Sequence, residues 1–316
     1  MLTWQDGQIL DSQVGKLVDF LQEGDVLVLN DARVIKAKLS AKILRNSVRL
    51  YLNLDQKIGD LWQALCHPAK KVKVGDELEI ASDFFAEVVG RADDGFISIR
   101  FGYSDEELFA KLEKYGSVPL PPYIKRDKKN SEDHKNYQTI YAANGVAAAA
   151  PTAGLHFSEE IFSALEAKKI QKTFVTLNVG AGTFLPVRGD FLTDHKMHSE
   201  FFCLSQESAK IINSAKAAGK KIVAVGTTSL RVLESAVSDD GLVKAMSSRT
   251  EIFIYPPYKF KIVDVLITNF HLPRSTLFML VCAFVGRENA FKLYNHAISQ
   301  NYRFYSYGDV TLLKNL

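Results

Sequence analysis

The 316-residue sequence predicts a layered α/β domain with a small antiparallel β-barrel-like domain inserted into it. Three observations carry this expectation. From Ser104 onward, short apolar runs alternate with helical stretches, the pattern of an α/β layer. Between Ile35 and Phe101 that alternation stops, and six short runs rich in β-branched and aromatic residues follow one another across Asn, Gly-Asp and Asp-Asp-Gly turn signals. Ahead of this block, VLVLN has the apolar continuity of a buried strand. Residues 1–34 and 104–316 are therefore expected to form the α/β domain, and 35–103 the barrel-like insertion.

The elements follow in order. A helix is expected around Gly15–Leu21, then strand VLVLN after the turn at Glu23-Gly24-Asp25. After the barrel runs, SDEELFAKLEKYG has an acidic first turn and a terminal glycine. Ser158 can cap EEIFSALEAKK, with Phe157 and Phe162 as a hydrophobic staple. Strands TFVTL, IVAVG and VDVLIT then alternate with helices, including SLRVLESAV, STLFMLVCAFV and ENAFKLYNHAIS, before a last strand, YRFYSY. The polar segment KRDKKNSEDHKN (125–136) reads as a loop whose Lys125, Arg126, Lys128 and Lys129 are expected to meet nucleic-acid phosphates.

Composition narrows the class without naming a function. A hydrophobic content of 47% supports a sizeable core, and a net charge of +3 permits a local basic face but does not demand a nucleic-acid partner. Cys66, Cys203 and Cys282 are odd in number and lack any C-x-x-C pair, which argues against a disulfide framework or zinc ribbon. The first residues have no signal-peptide pattern, and LFMLVCAFV is too short to span a bilayer. A cytoplasmic chain with no membrane association is expected.

Ligands of open α/β sheets bind beyond the carboxyl ends of strands, so polar clusters there are the candidates. Asn30, Asp31 and Arg33 follow VLVLN; an Asx turn is the plainer explanation. Thr152 and Gly154 lie in the turn PTAG, with His156 just before a helix start. Gly180, Gly182 and Thr183 in VGAGTF suit a tight turn exposing N–H groups, but no G-x-G-x-x-G is present. His195, His198 and Glu200 lack metal-motif spacing, so acid–base work or hydrogen bonding is the expectation and no metal is assigned. Thr227, Thr228 and Ser229, with Arg231 nearby, open a helix after a strand and suit a carboxylate or phosphate; simple N-capping is the bland reading. Asn269 and His271 sit between an apolar strand and an apolar helix. Arg303, Tyr305, Tyr307 and Asp309 are expected at period two along one strand face, a row that suits an adenine or an unstacked base.

Nine stretches together resemble one family: LVLNDARV, PLPPYIKR, YQTIYA, AAPTAGLHF, VGAGTF, HKMHSE, VGTTSLRVLES, DVLITNFHLPRSTLFML and YRFYSYGD. Their order and spacing, from about residue 24 to 313, are those of the S-adenosylmethionine:tRNA ribosyltransferase-isomerases of queuosine biosynthesis. The resemblance implies a transferase that moves and isomerises the ribosyl group of S-adenosylmethionine onto 7-aminomethyl-7-deazaguanine (preQ1) at the tRNA wobble position. Adenine and methionine would be released and epoxyqueuosine formed. It implies S-adenosylmethionine as co-substrate, no further cofactor, tRNA as partner and a monomer. His271, His156, His198, Glu200 and Asp309 are the expected catalytic groups, with His271 foremost. Asn178 stands where the family usually has His, and the family's Arg-Asp-x-Ser-Arg lead is not in this sequence. Two other readings remain open. Another S-adenosylmethionine-dependent RNA-modifying enzyme would call for a Rossmann glycine loop, and a non-catalytic tRNA-binding relative would be expected to have lost the site polars.

Overall fold

The computed structural model describes residues 1–92, 95–120, 136–180 and 197–315. Lys125, Arg126, Lys128, Lys129, Gly182, Thr183 and His195 lie outside the described residues. The centre is a nine-stranded mixed sheet in the order β15-β13-β12-β3-β14-β16-β17-β1-β2. Its heart is parallel: β12 (Gln171–Leu177), β3 (Val26–Asn30), β14 (Ile222–Val225) and β16 (Val265–Asn269). Burial on both faces explains why β3, β14 and β16 read as continuous apolar runs.

Most of the outer pairings are antiparallel, β1 on β17 being parallel. β13 (Glu200–Leu204) and β15 (Met246–Thr250) extend one side. On the other, β17 (Val310–Lys314) runs antiparallel to β16, and β1 (Leu2–Gln5) and β2 (Gln8–Asp11) complete the sheet. The sequence pattern did not reveal β1 and β2, because four-residue strands are too short for a periodicity signal.

Helices cover both faces. One face buries α3 (Gln206–Ala217), α4 (Gly226–Ala236), α5 (Thr276–Val285) and α6 (Arg287–Ser299). The other buries α2 (Glu159–Ala167) and the 3-10 helix Val14–Phe20, the helix expected around Gly15–Leu21. The staple ahead of α2 is present, with the Phe157 and Phe162 rings 5.5 Å apart. Ser158 occupies the N-cap position without the expected side-chain cap bond.

The insertion is a closed six-stranded barrel, β10-β7-β6-β5-β8-β9. Its strands are β5 (Lys38–Ile43), β6 (Arg49–Ile58), β7 (Leu61–His67), β8 (Glu77–Ala81), β9 (Phe84–Arg91) and β10 (Phe96–Arg100). Alternate residues point inward, so β5 reads exposed–buried along its length. Helix α1 (Asp105–Tyr115) starts with a complete Ser104–Glu107 capping box. It lends Leu108 and Leu112 to the barrel's hydrophobic cluster, although the sequence pattern grouped it with the α/β half. The chain enters the barrel through β4 (Ala32–Val34) and leaves beside it through β11 (Asn144–Ala147), paired in parallel. Among the described residues, no helix is long and apolar enough to cross a membrane.

Candidate active site

Polar residues from several segments gather at the carboxyl end of the parallel strands, with Asn269 as their hub. The last residue of β16, Asn269 is buried and accepts the Thr152 hydroxyl on Oδ1 at 2.8 Å. That bond fixes the amide orientation, so Nδ2 faces His156 Nε2 at 3.5 Å. The imidazole therefore presents a lone pair on Nε2, and the contact is long enough for a better donor to replace it. His156 and Thr152 belong to one 3-10 helix, Thr152–His156, formed by the PTAGLH turn. Burial lowers the His156 pKa, while the nearby Asp309 carboxylate and the Gly308 backbone act to raise it. The ring is thus neutral near pH 7, with a carboxylate close enough to stabilise its protonated form.

Asp309 is delivered by the loop before β17. The expected strand YRFYSY is not formed: residues 302–309 turn back on themselves, and β17 begins only at Val310. The loop closes when Asp309 accepts the Arg303 N–H at 2.8 Å and donates its own N–H to Arg303 carbonyl at 2.7 Å. A Cβ at Gly308 would sit 2.4 Å from two backbone carbonyls, which explains the glycine. The period-two row is therefore dispersed. Tyr305 is exposed with φ at 74°, Tyr307 packs edge-on against Tyr137, and Arg303 forms an ion pair with Asp309 at 3.6 Å.

His271 has a different setting. Its Nε2 lies 2.9 Å from the Thr268 hydroxyl, and its backbone N–H donates to Tyr294. Strand alternation turns Thr268 and Asn269 to opposite faces of the sheet, so the hydrogen bonds of His271 and His156 belong to different faces. With no ionised partner to offset it, burial pushes the His271 pKa down to about 4.

The α4 start supplies anion-binding potential more selectively than its three hydroxyls suggested. Ser229 is spent inside the helix, donating to Val225 carbonyl at 2.9 Å. Thr227 is buried, whereas the Thr228 hydroxyl is buried without a partner among the described residues and stands near Gly226 and Ala153. One turn on, buried Arg231 joins buried Glu200 at 2.5 Å, while its Nε and Nη2 lack hydrogen-bond partners among the described residues. Glu200 also accepts the Gly180 N–H at 3.3 Å. Glu200, one of the expected catalytic groups, is thus held in an ion pair that orients Arg231.

Several expected ligand contacts are internal to the protein. Asn30 uses its amide to extend the sheet, bonding Leu177 N–H and carbonyl as well as Ala32 N–H. Asp31 accepts Thr176 and Asn144, both at 2.7 Å. Gly154 makes room for the Tyr141 hydroxyl and Gly180 for Asp55, since a Cβ at either would clash. His198 is exposed beside Phe96 of the barrel, their rings 5.8 Å apart. Arg33 is exposed. Sequence reasoning missed Gln138, whose amide pairs with both backbone groups of Val34 like a strand. It also missed Glu234, which accepts the N–H groups of residues 261–263 and the Tyr258 hydroxyl. Among the described residues, no cluster of three His, Cys, Asp or Glu side chains is placed to hold a metal ion.

A mixed sheet gathering polar side chains at its strand ends, beside a barrel, is the frame of an enzyme that transforms a bound small molecule. The chain belongs to the family of queuosine biosynthesis proteins, whose family model matches residues 1–313. It is 50% identical over 306 residues to the S-adenosylmethionine:tRNA ribosyltransferase-isomerase of Rhodospirillum rubrum, covering 96% of this chain and 88% of the relative. Its identity to the protein of that name from Mesorhizobium japonicum is 47% over 326 residues, covering 99% and 90%. The crystal structure of the S-adenosylmethionine tRNA ribosyltransferase from Thermotoga maritima is similar in fold, with a TM-score of 0.53 and 32% identity over 99% of this chain and 91% of that one.

Proposed function

We propose that this chain transfers and isomerises the ribosyl group of S-adenosylmethionine onto preQ1 at the wobble position of a tRNA, forming epoxyqueuosine and releasing adenine and methionine. The observation that carries the reading is near-full-length identity of 47–50% to proteins named for this reaction. With tRNA as substrate, the site of action is the cytoplasm.

The chemistry asks for a base, a proton source for departing adenine and tolerance of a sulfonium cation. The sulfonium acidifies the neighbouring C5′ hydrogens, and removal of one opens the sugar and expels adenine. The aminomethyl nitrogen of the tRNA base captures the fragment, and methionine leaves as the epoxide closes. His156 suits proton transfer better than His271, because its lone pair is loosely occupied and Asp309 can stabilise the imidazolium. The free guanidinium edge of Arg231 and the unpartnered Thr228 hydroxyl suit the donor's methionine carboxylate. No step calls for a metal.

The test is chromatographic. Purified protein given S-adenosylmethionine and preQ1-containing tRNA is expected to release adenine and methionine, with and without EDTA. No adenine in the presence of that tRNA overturns the reading. Activity lost in EDTA and restored by zinc overturns its metal-free form.

A further inference from the structure

We propose that the β5-β6-β7 face of the barrel is an RNA-docking surface that carries the substrate strand toward the strand-end site; the proposal rests on the tRNA reading above. The argument starts from charge. Residues 35–73, which hold β5, β6, β7 and the turn after them, contain nine Lys or Arg and only two Asp or Glu. The described residues from 74 to 113, holding β8, β9, β10 and α1, contain nine Asp or Glu and three Lys or Arg. In the closed barrel β5, β6 and β7 are neighbours, as are β8 and β9. The segregation along the chain therefore becomes a segregation in space, within a protein whose net charge is only +3.

Pairing sharpens the asymmetry. Lys36 and Lys57 reach across to Glu113 and Asp105, and Lys42 and Arg45 to Glu79 and Asp76. The exposed Lys38, Arg49, Lys70 and Lys71 form no ion pair among the described residues, and Lys73 beside them shares the field of Asp76 with Arg45. Arg49 stands directly opposite Lys42 in the β5–β6 register; Glu79 on β8 neutralises Lys42 and leaves Arg49 without an ion pair of its own among the described residues. Between these cations stands Tyr51, 56% exposed and flanked by Ser40 and His67. An outward aromatic among uncompensated cations on a sheet face offers base stacking alongside phosphate contacts.

The same strand reaches the site. β6 runs from Arg49 toward Asp55, which lies against Gly180 three residues beyond the end of β12, and Gln56 accepts a hydrogen bond from Arg249 of β15. Six residues at about 3.3 Å each make this path roughly 20 Å. That is the span of about six nucleotides at about 3.4 Å per step. An RNA strand following β6 thus has its reacting base at the site and its phosphates beside the cations.

The experiment measures binding of fluorescent preQ1-containing tRNA by anisotropy at several salt concentrations, beside adenine release. The variant Arg49→Gln/Lys70→Gln/Lys71→Gln/Lys73→Gln is expected to bind at least tenfold more weakly. Its salt slope should be shallower by about 3, since each lost phosphate contact removes about 0.7–0.9. KM for tRNA should rise while kcat stays within about twofold. Tyr51→Ala should weaken binding several-fold with the slope unchanged. Lys210→Gln/Lys292→Gln, on α3 and α6, removes two other exposed cations and should leave binding unchanged. Wild-type affinity and slope in the quadruple variant overturn the proposal, as does a wild-type protein that binds heparin as tightly as tRNA. A wild type that neither binds tRNA nor releases adenine overturns the functional reading itself, which separates the two failures.

Discussion

His156 and His271 flank one strand end, and their neighbours give them different chemistry. His156 faces an amide whose orientation Thr152 fixes, with Asp309 nearby. Replacing His156 with Gln is expected to lower adenine release by at least about a hundredfold while moving the thermal midpoint by only a few degrees. Turnover and midpoint measured on the same preparation check it. His271 instead makes a pH-dependent contribution to folding. Its folded pKa of about 4 lies below the ordinary value near 6.5, so the unfolded chain binds the proton more readily. Stability is therefore greatest above pH 6.5 and falls as pH drops toward 4, by roughly 2 kcal/mol between pH 7 and 5. Urea titrations at those two pH values should show this slope in the wild type and a clearly smaller one in His271→Ala.

At the scale of elements, α4 shows how one helix divides structural from chemical duties. Glu234 on its last turn clamps the chain at 258–263, Ser229 serves the helix itself, and Arg231 pairs with Glu200 through Nη1 while its Nε and Nη2 stay unpartnered among the described residues. Removing one partner of a buried ion pair strands the other charge. Glu200→Ala is thus expected to cost about 3–5 kcal/mol, and Glu200→Ala/Arg231→Met to recover most of that loss. If Arg231 also receives the donor's carboxylate, the double variant regains its thermal midpoint yet shows at least a tenfold higher KM for S-adenosylmethionine. A recovered midpoint with an unchanged KM removes Arg231 from the binding site. The loop before β17 makes a related point. Arg303, Tyr305, Tyr307 and Asp309 recur at the period of a strand, but Gly308 and the Asp309–Arg303 contacts close the segment into a turn.

For the whole molecule, the seam between sheet and barrel is set by close approaches. Gly180 lies against Asp55, and an added Cβ would meet Asp55 Oδ1 at 2.4 Å, well inside contact distance. Gly180→Ala should force that seam apart, at a cost of about 1–3 kcal/mol in the range of overpacked sites. Hydrogen exchange resolved by segment should then show faster exchange at β6 and β13 but not at β14 in the sheet centre. Protection unchanged across the seam would show that the barrel is seated by other contacts.

The sequence by itself determined the layer class, the insertion, the helices described beyond residue 100 and the central strands β12, β14 and β16, because these follow from local apolar periodicity and cap chemistry. Ser104 with Glu107, and Phe157 with Phe162, are examples in which the residues that signal the element also build it. It also singled out Thr152, His156, Asn269 and Asp309 as candidates, since each stands beside a strand end or turn. Only the tertiary structure decided which of the polar residues remain free for a ligand. Asn30, Asp31, Ser229 and Glu200 look as available as Thr228 or Arg231 in one dimension, yet their atoms are taken by groups up to 147 residues away. A buried polar atom must find a partner, and which partner it finds is settled by how distant strands pack rather than by the residues beside it in the chain.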